Sequence, residues 1–272
     1  MALALAFDQA MGLTVLGSGS CELRRERSSP AYLLEAKGFS LLLDLGQGAL
    51  RRLLDTGRDP AALGAVLLSH HHPDHLGDLI PLLFALNHDP HMRDTARLGL
   101  LAHAGLAPIL AGLQGLFGAW LSPPPERLAP TWLQPGQETT LGPWLVRAAA
   151  AGHTPFSLAY RLECTGASLV YLGDSPASPD LAPFCQDTGL LIVHCAGSDH
   201  DPKPGHASPR QAGGLAARAG AKALLLSHFY GDVDPEAAVA SARALFSGPV
   251  WAARDFLALG VGAGHSQLLG ES

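Results

Sequence analysis

An α/β fold, two β-sheets packed face to face with helices outside, is what three features of this 272-residue sequence predict. Strand-like runs dominate both halves, each half also carries helices, and no linker-like stretch separates the halves. A single domain over residues 1–272 follows, and 47% hydrophobic residues are enough to fill its core.

Residues 1–7, MALALAF, have no basic start and meet Asp8 too soon for a secretory leader, so they read as a frayed terminus. Strands are predicted at 13–16, ending in Gly17-Ser18-Gly19-Ser20, at 31–35, and at 40–44, ending at Gly46 and Gly48. Residues 64–69 form a continuous apolar run of the length of a strand buried on both faces, and the histidines begin at its end. Further strands are predicted at 144–149, 157–163, 168–172, 190–193, 223–227 and 250–253. Between the late strands, Ser208-Pro209-Arg210-Gln211 supplies an N-cap, a first-turn proline and a capping-box glutamine to a helix that stops at Gly220. Asp234-Pro235-Glu236 starts another, ending near Gly248.

Residues 98–125 contain no Asp, Glu, Lys or Arg. Pro108, His103, Gln114 and several glycines argue against a membrane span. Leu106, Ile109, Leu110, Leu113, Leu116, Phe117 and Trp120 recur instead at the spacing of an amphipathic helix over 106–120, able to bury that stripe against a sheet. Its other face is Gly and Ala, not charge. The expectation is a helix near the mouth of the active site or at the contact of a homodimer.

A net charge of −6 with no Lys/Arg run excludes a general electrostatic grip on nucleic acid and leaves room only for a local contact with RNA. Four scattered cysteines, Cys21, Cys164, Cys185 and Cys195, suit free thiols in a reducing cytoplasm.

The chemistry concentrates in His70-x-His72-x-Asp74-His75, where a buried strand stops and a helix begins. At this spacing alternate side chains can converge on one metal ion while the next pair reaches a second, and imidazole and carboxylate are ligands that zinc accepts. His71 points away by alternation. The segment resembles the metallo-β-lactamase superfamily, in particular its ribonuclease Z-like, phosphodiesterase branch, and the resemblance runs nearly the length of the chain. Leu16-Gly17-Ser18-Gly19-Ser20 is similar to that branch's glycine turn, and Arg27-x-Ser29 to the block after it. Asp44-Leu45-Gly46 resembles the element whose carboxylate supports the metal loop from behind; Gly152-His153, Leu172-Gly173-Asp174-Ser175 and Leu226-Ser227-His228-Phe229 resemble the later ligand segments.

The resemblance implies an αββα sandwich and a binuclear hydrolase, with two zinc ions (manganese or iron as alternatives) sharing a hydroxide. A first ion would be held by His70, His72 and His153, a second by Asp74, His75 and His228, and Asp174 would bridge them. Asp74 would also orient the hydroxide, and His206 would stand near the scissile phosphate as acid. In that branch a glutamate after a strand pairs with this histidine; here Cys195 occupies its place, which weakens the expectation that His206 is protonated. Only twenty residues separate His153 from Asp174, leaving no room for the long arm that grips transfer RNA. A smaller phosphodiester is therefore the preferred substrate. A lactone, thioester or other carboxylic ester is the alternative, and a non-catalytic metal-binding module the third reading.

Overall fold

The computed structural model describes residues 10–93, 97–262 and 264–271; the predicted frayed start lies outside them. Met11–Gly17 (β1), Ala31–Ala36 (β2) and Phe39–Leu43 (β3) form an antiparallel meander. Helix Ala49–Asp55 (α1) leads to Leu63–Leu67 (β4), which runs parallel to β3. The short helix Pro73–Leu76 (α2) and the helices Leu79–His88 (α3) and Pro90–Arg93 (α4) precede Leu98–His103 (β5). Helix Ala107–Phe117 (α5) then connects to Leu128–Leu133 (β6), the last parallel strand of this array.

A second sheet begins with Glu138–Leu141 (β7), Trp144–Ala150 (β8), Leu158–Cys164 (β9) and Ala167–Tyr171 (β10), all antiparallel to their neighbours in sequence. It continues in parallel through Leu190–His194 (β11), Leu224–Ser227 (β12) and Val250–Ala252 (β13), with Pro209–Ala219 (α6) and Pro235–Arg243 (α7) between them. Leu257–Val261 (β14) and Ser266–Glu271 (β15) return to the first sheet. Strand orders are β15-β14-β1-β2-β3-β4-β5-β6 and β13-β12-β11-β10-β9-β8-β7. The fold is the expected sandwich of two mixed sheets.

Three apolar layers account for it. Met11, Leu34, Leu67, Trp144, Tyr160 and Leu225, from both sheets, fill the space between them. Leu215, Ala216 and Ala242 of α6 and α7 cover the outside of the second sheet, and Leu53, Leu82, Leu83 and Leu110 of α1, α3 and α5 cover the first. The Ser208 capping box forms as the sequence predicts, with Gly220 in the left-handed conformation closing α6. Asp234 caps α7, which ends at Arg243, short of Gly248.

The stripe predicted on residues 106–120 is only half right. Leu106 and Leu110 are buried, but Leu116, Phe117 and Trp120 lie exposed, Leu116 at 77%. Within the helix only Leu110 is buried, so Leu116 and Phe117 face outwards before the helix ends at Phe117, and the turn at Gly118 takes Trp120 off the stripe. Residues 104–121 are apolar and long enough to pass a membrane-span test on length and composition alone. A Cβ on Gly112, Gly115 or Gly118 would meet nothing, so the small face looks into open space.

Candidate metal centre

Parallel strands point their carboxyl ends the same way, and side chains in the loops beyond those ends converge in the crevice there. Asp44 follows β3, His70 follows β4, Asp174 follows β10, His194 ends β11 and His228 follows β12. The parallel parts of both sheets therefore deliver their polar residues to one edge of the sandwich. His153 enters from the loop between β8 and β9, which is tied to the histidine loop by Leu158 N–H donating to Ser69 O at 2.8 Å. Gly46 is required behind that loop, because a Cβ there would lie 2.4 Å from the Asp74 carbonyl.

His70, His72, His153 and Asp174 each place one ligand atom within 4.8 Å of the others, and so do His75, Asp174, His194 and His228. Asp174 Oδ2 is the common point, 3.3 Å from His75 Nε2, 3.5 Å from His70 Nε2 and 3.6 Å from His153 Nε2. Asp74 Oδ2 lies at the solvent side, 3.3 Å from His228 Nε2 and 3.7 Å from His75 Nε2. All seven residues singled out as ligands in the sequence thus meet here. His71 takes part in neither group, as alternation predicts; its ring lies 5.3 Å from that of His72 and 6.3 Å from that of Phe156.

A cation fits this donor set. His70 Nε2 and His75 Nε2 are buried with no hydrogen-bond partner, a costly state for a polar atom unless something coordinates it. Their other nitrogens are committed, His70 Nδ1 to Ser69 Oγ at 3.0 Å and His75 Nδ1 to Asp44 Oδ2 at 2.7 Å. A carboxylate behind an imidazole fixes the tautomer so that the lone pair faces the ion. Burial and then the neighbouring His75 hold His70 neutral, far below the usual histidine range. Burial opposes charge on Asp174, yet the histidines around it, His228 and His75 first, keep its carboxyl well below the usual range. Burial likewise disfavours the cation of His75, but Asp174 and Asp44 outweigh it and raise its pKa well above normal. That negative field, from Asp44, Asp74 and Asp174 together, is one a divalent cation would neutralise.

Asp44 carries out the supporting role expected of it: Oδ1 accepts from Ser69 N–H at 2.6 Å, and Oδ2 from Ser69 Oγ and the Tyr171 hydroxyl. His194 was not foreseen. Its Nδ1 lies 2.8 Å from Asp174 Oδ1 and its Nε2 2.9 Å from the Tyr32 hydroxyl, which is 2.6 Å from Ser227 Oγ. Because Asp174 only accepts, Nδ1–H must donate to it, while Nε2 faces the Tyr32 oxygen, whose own proton goes to Ser227 Oγ. Burial first, set against the Asp174 bond, lowers the His194 pKa to about 4, so it is neutral at pH 7. Its position after Val193 carries no signal of this role in the sequence.

The reading of Cys195 is corrected in part. Cys195 is wholly buried, and burial pushes its thiol pKa up. His206 nonetheless has partners: Nδ1 is 3.0 Å from Pro204 O and Nε2 3.1 Å from Asp174 Oδ2. Burial works against its charge, but the bond to Asp174 and that carboxylate's charge raise its pKa above normal, contrary to the weaker protonation expected.

The comparisons with known proteins agree with this geometry. The sequence model of the beta-lactamase superfamily domain matches residues 41–229, from the Asp44 strand to beyond His228. The chain belongs to the metallo-β-lactamase superfamily. Within it the chain falls in the ribonuclease Z-like branch. It is 29% identical over 238 residues to a ribonuclease Z of Mycobacterium marinum, covering 80% of this chain and 85% of that protein. The probable metallo-hydrolase YhfI of Bacillus subtilis is also 29% identical over 238 residues, covering 80% and 86%. The crystal structure of YhfI superposes with a TM-score of 0.81 at 28% identity, over 92% of this chain and 98% of that one. The short form of human tRNase Z superposes with a TM-score of 0.73 at 19% identity, over 92% and 99%, and at that identity shares the fold alone. With superfamily, fold and donor set in agreement, the chain is a metal-dependent hydrolase.

Proposed function

We propose that this chain is a binuclear, zinc-dependent phosphodiesterase acting on a small phosphodiester. His70, His72 and His153 would hold one ion, Asp74, His75 and His228 the other, with Asp174 between them. The observation that carries the proposal is the convergence of two buried, unpartnered imidazole nitrogens on a single oxygen of Asp174. When bound, two such ions polarise phosphoryl oxygens and lower the pKa of a coordinated water to about 7.

The chain's own residues do the rest. Asp74, at the solvent side of the group, orients the attacking water while it binds. Both nitrogens of His206 face oxygen acceptors, an arrangement that suits the imidazolium and a proton delivered from Nε2 to the leaving oxygen. Asp44 and His194 hold His75 and Asp174 in one orientation. The carboxyl ends of the strands fix these groups before substrate arrives, which is where the catalytic advantage of such a site lies.

The test is a panel of bis-p-nitrophenyl phosphate, cyclic nucleotides, lactones and a precursor transfer RNA, assayed with zinc-loaded protein. Turnover of the small diesters supports the reading. Turnover of lactones alone moves the activity to carboxylic esters, and no turnover of any of them leaves a metal-binding module. We also propose a homodimer through α5, because Leu116, Phe117 and Trp120 are exposed without a charged residue on the helix. Light scattering at micromolar concentration that reports only a monomer would exclude it.

A further inference from the structure

We infer that Phe156 is a stacking platform for a planar ring of the substrate, a nucleobase in a nucleotide-bearing phosphodiester, beside the histidines of the first ion. The inference rests on the phosphodiester reading above and narrows it. Phe156 follows His153 by three residues, in the same loop, and is 41% exposed. A large aromatic side chain in water forfeits the burial that normally fixes it, yet this ring has a built seat. It stacks on His103 with centroids 5.3 Å apart and planes 30° from parallel. His103 ends β5 and is itself fixed, its Nδ1 accepting from Gly105 N–H at 2.9 Å. Gly105 is needed for the seat, since a Cβ there would lie 2.4 Å from the Phe156 ring.

The loop is pinned as well as the ring. Thr154 N–H donates to Ser157 Oγ at 3.0 Å, the two hydroxyls are 2.8 Å apart, and Ser157 N–H donates to Thr154 O at 3.1 Å. On the side towards the metal centre, the His71 ring stands 6.3 Å from Phe156. His71 is flanked in the chain by His70 and His72 and takes part in neither ligand group. The rings of His103, Phe156 and His71 therefore form an aromatic border beside the histidine loop that would bind a phosphate.

That juxtaposition selects a ligand carrying a phosphate and a flat ring a short distance apart. A single exposed aromatic on a rigid base is how proteins hold an unpaired base without reading its sequence. A long nucleic acid is not favoured, because the chain carries a net charge of −6 and no basic run to track a backbone. A mononucleotide-sized compound needs only the metals and the platform.

Calorimetric titration of zinc-loaded protein with adenosine 5′-monophosphate and with ribose 5-phosphate tests this, since the two differ by the base alone. The wild type is expected to bind the nucleotide roughly tenfold more tightly, the scale of one base stacked on one aromatic ring. Phe156→Ala should abolish that preference, and Phe156→Tyr, which keeps the π-face, should restore it. A wild type without preference, or a Phe156→Ala protein that keeps it, overturns the platform while leaving the phosphodiester reading standing. If neither compound binds the zinc-loaded wild type, the platform is overturned, while the phosphodiester reading stands or falls on turnover of the small diesters.

Discussion

The two ligand groups share Asp174 but are built differently. Around the first, His70 is the one buried histidine; His72 and His153 are half-buried, and the partners behind the rings are neutral: Ser69 Oγ for His70 and Gly205 O, at 3.0 Å, for His153. Around the second, His75, His228 and Asp174 are buried while Asp74 reaches the solvent side, and a carboxylate, that of Asp44, stands behind His75 at 2.7 Å. His228 even adopts a left-handed backbone, φ 62°, secured by its N–H donating to Ser18 O at 3.0 Å. A carboxylate behind an imidazole raises its basicity and locks its orientation, whereas a neutral acceptor only orients it. On the two-ion reading proposed above, the difference leads to the expectation that the second group holds its ion more firmly and the first stays more open to exchange and to substrate.

The largest expected effect comes from removing what the halves share. Asp174→Ala should lose at least one of the two proposed ions, because the remaining ligands leave two like charges close together without the carboxylate between them. Elemental analysis of the purified variant decides it, and a wild-type metal content would contradict the shared ligand.

His206 sharpens the contrast from the open side, where its ring packs 4.6 Å from that of His153. Its replacement by alanine should lower kcat on a phosphodiester roughly 10²-fold, the range of general-acid help, with metal content unchanged. An unaltered kcat would favour the ester alternative. Cys195→Glu, which puts back the carboxylate of the branch, should raise kcat by a smaller factor.

On the buried side, His194→Ala should weaken metal binding about 10- to 100-fold in a chelator competition, as loss of a group that holds a ligand generally does. Asparagine at 194, able to donate to Asp174 Oδ1, should recover part of the loss. The same competition run on the wild type should strip the half-open group first. Release of both ions together would erase the distinction drawn between the halves.

Protons give the smallest effect. His194 has its pKa lowered to about 4 in the fold against about 6.5 in an unfolded chain. The folded state thus prefers neutral His194, and the associated stability is complete above pH 6.5 and is lost as pH falls towards 4. For chelator-treated protein this amounts to on the order of 3 kcal/mol. Thermal melts across that range should show a shallower decline in His194→Asn than in the wild type.

How much of this was readable beforehand differs by element. The strands that end at the metal loops were legible, since each is an apolar run closed by glycine or by a polar turn. β5 was not: its sequence LGLLAH is buried along its whole length, so it shows no alternation and merges with the charge-free helix after it. β6 carries Pro130, and β7 is a four-residue edge strand with exposed polar positions, which reads as loop. β14 and β15 were missed as well, although β14 pairs with β1 at the far end of the chain. His70, His72, Asp74 and His75 were singled out because donor type and spacing are local properties, and His153, Asp174 and His228 because their segments resemble those of the family. His194 and Phe156 were not, because a histidine after Val193 or a phenylalanine in a loop looks the same whatever it faces.

By itself, then, the sequence determined the donor set, the caps and turns that place strand ends next to it, and the superfamily those residues resemble. These depend on neighbours within a few positions, where backbone geometry leaves little freedom. Tertiary structure alone decided that Asp174 turns Oδ2 to His70, His75 and His153 and Oδ1 to His194 and His228, that Pro204 and Asp174 take the place of a missing glutamate at His206, and that Phe156 is seated on His103. Asp174 and His194, 20 residues apart, meet where neighbouring strands of one sheet end, and Tyr32, 162 residues from His194, joins them only when the two sheets close on a common core. Packing, not local preference, sets the distances there, because close-packed side chains leave each ring a single position in which its nitrogens are satisfied.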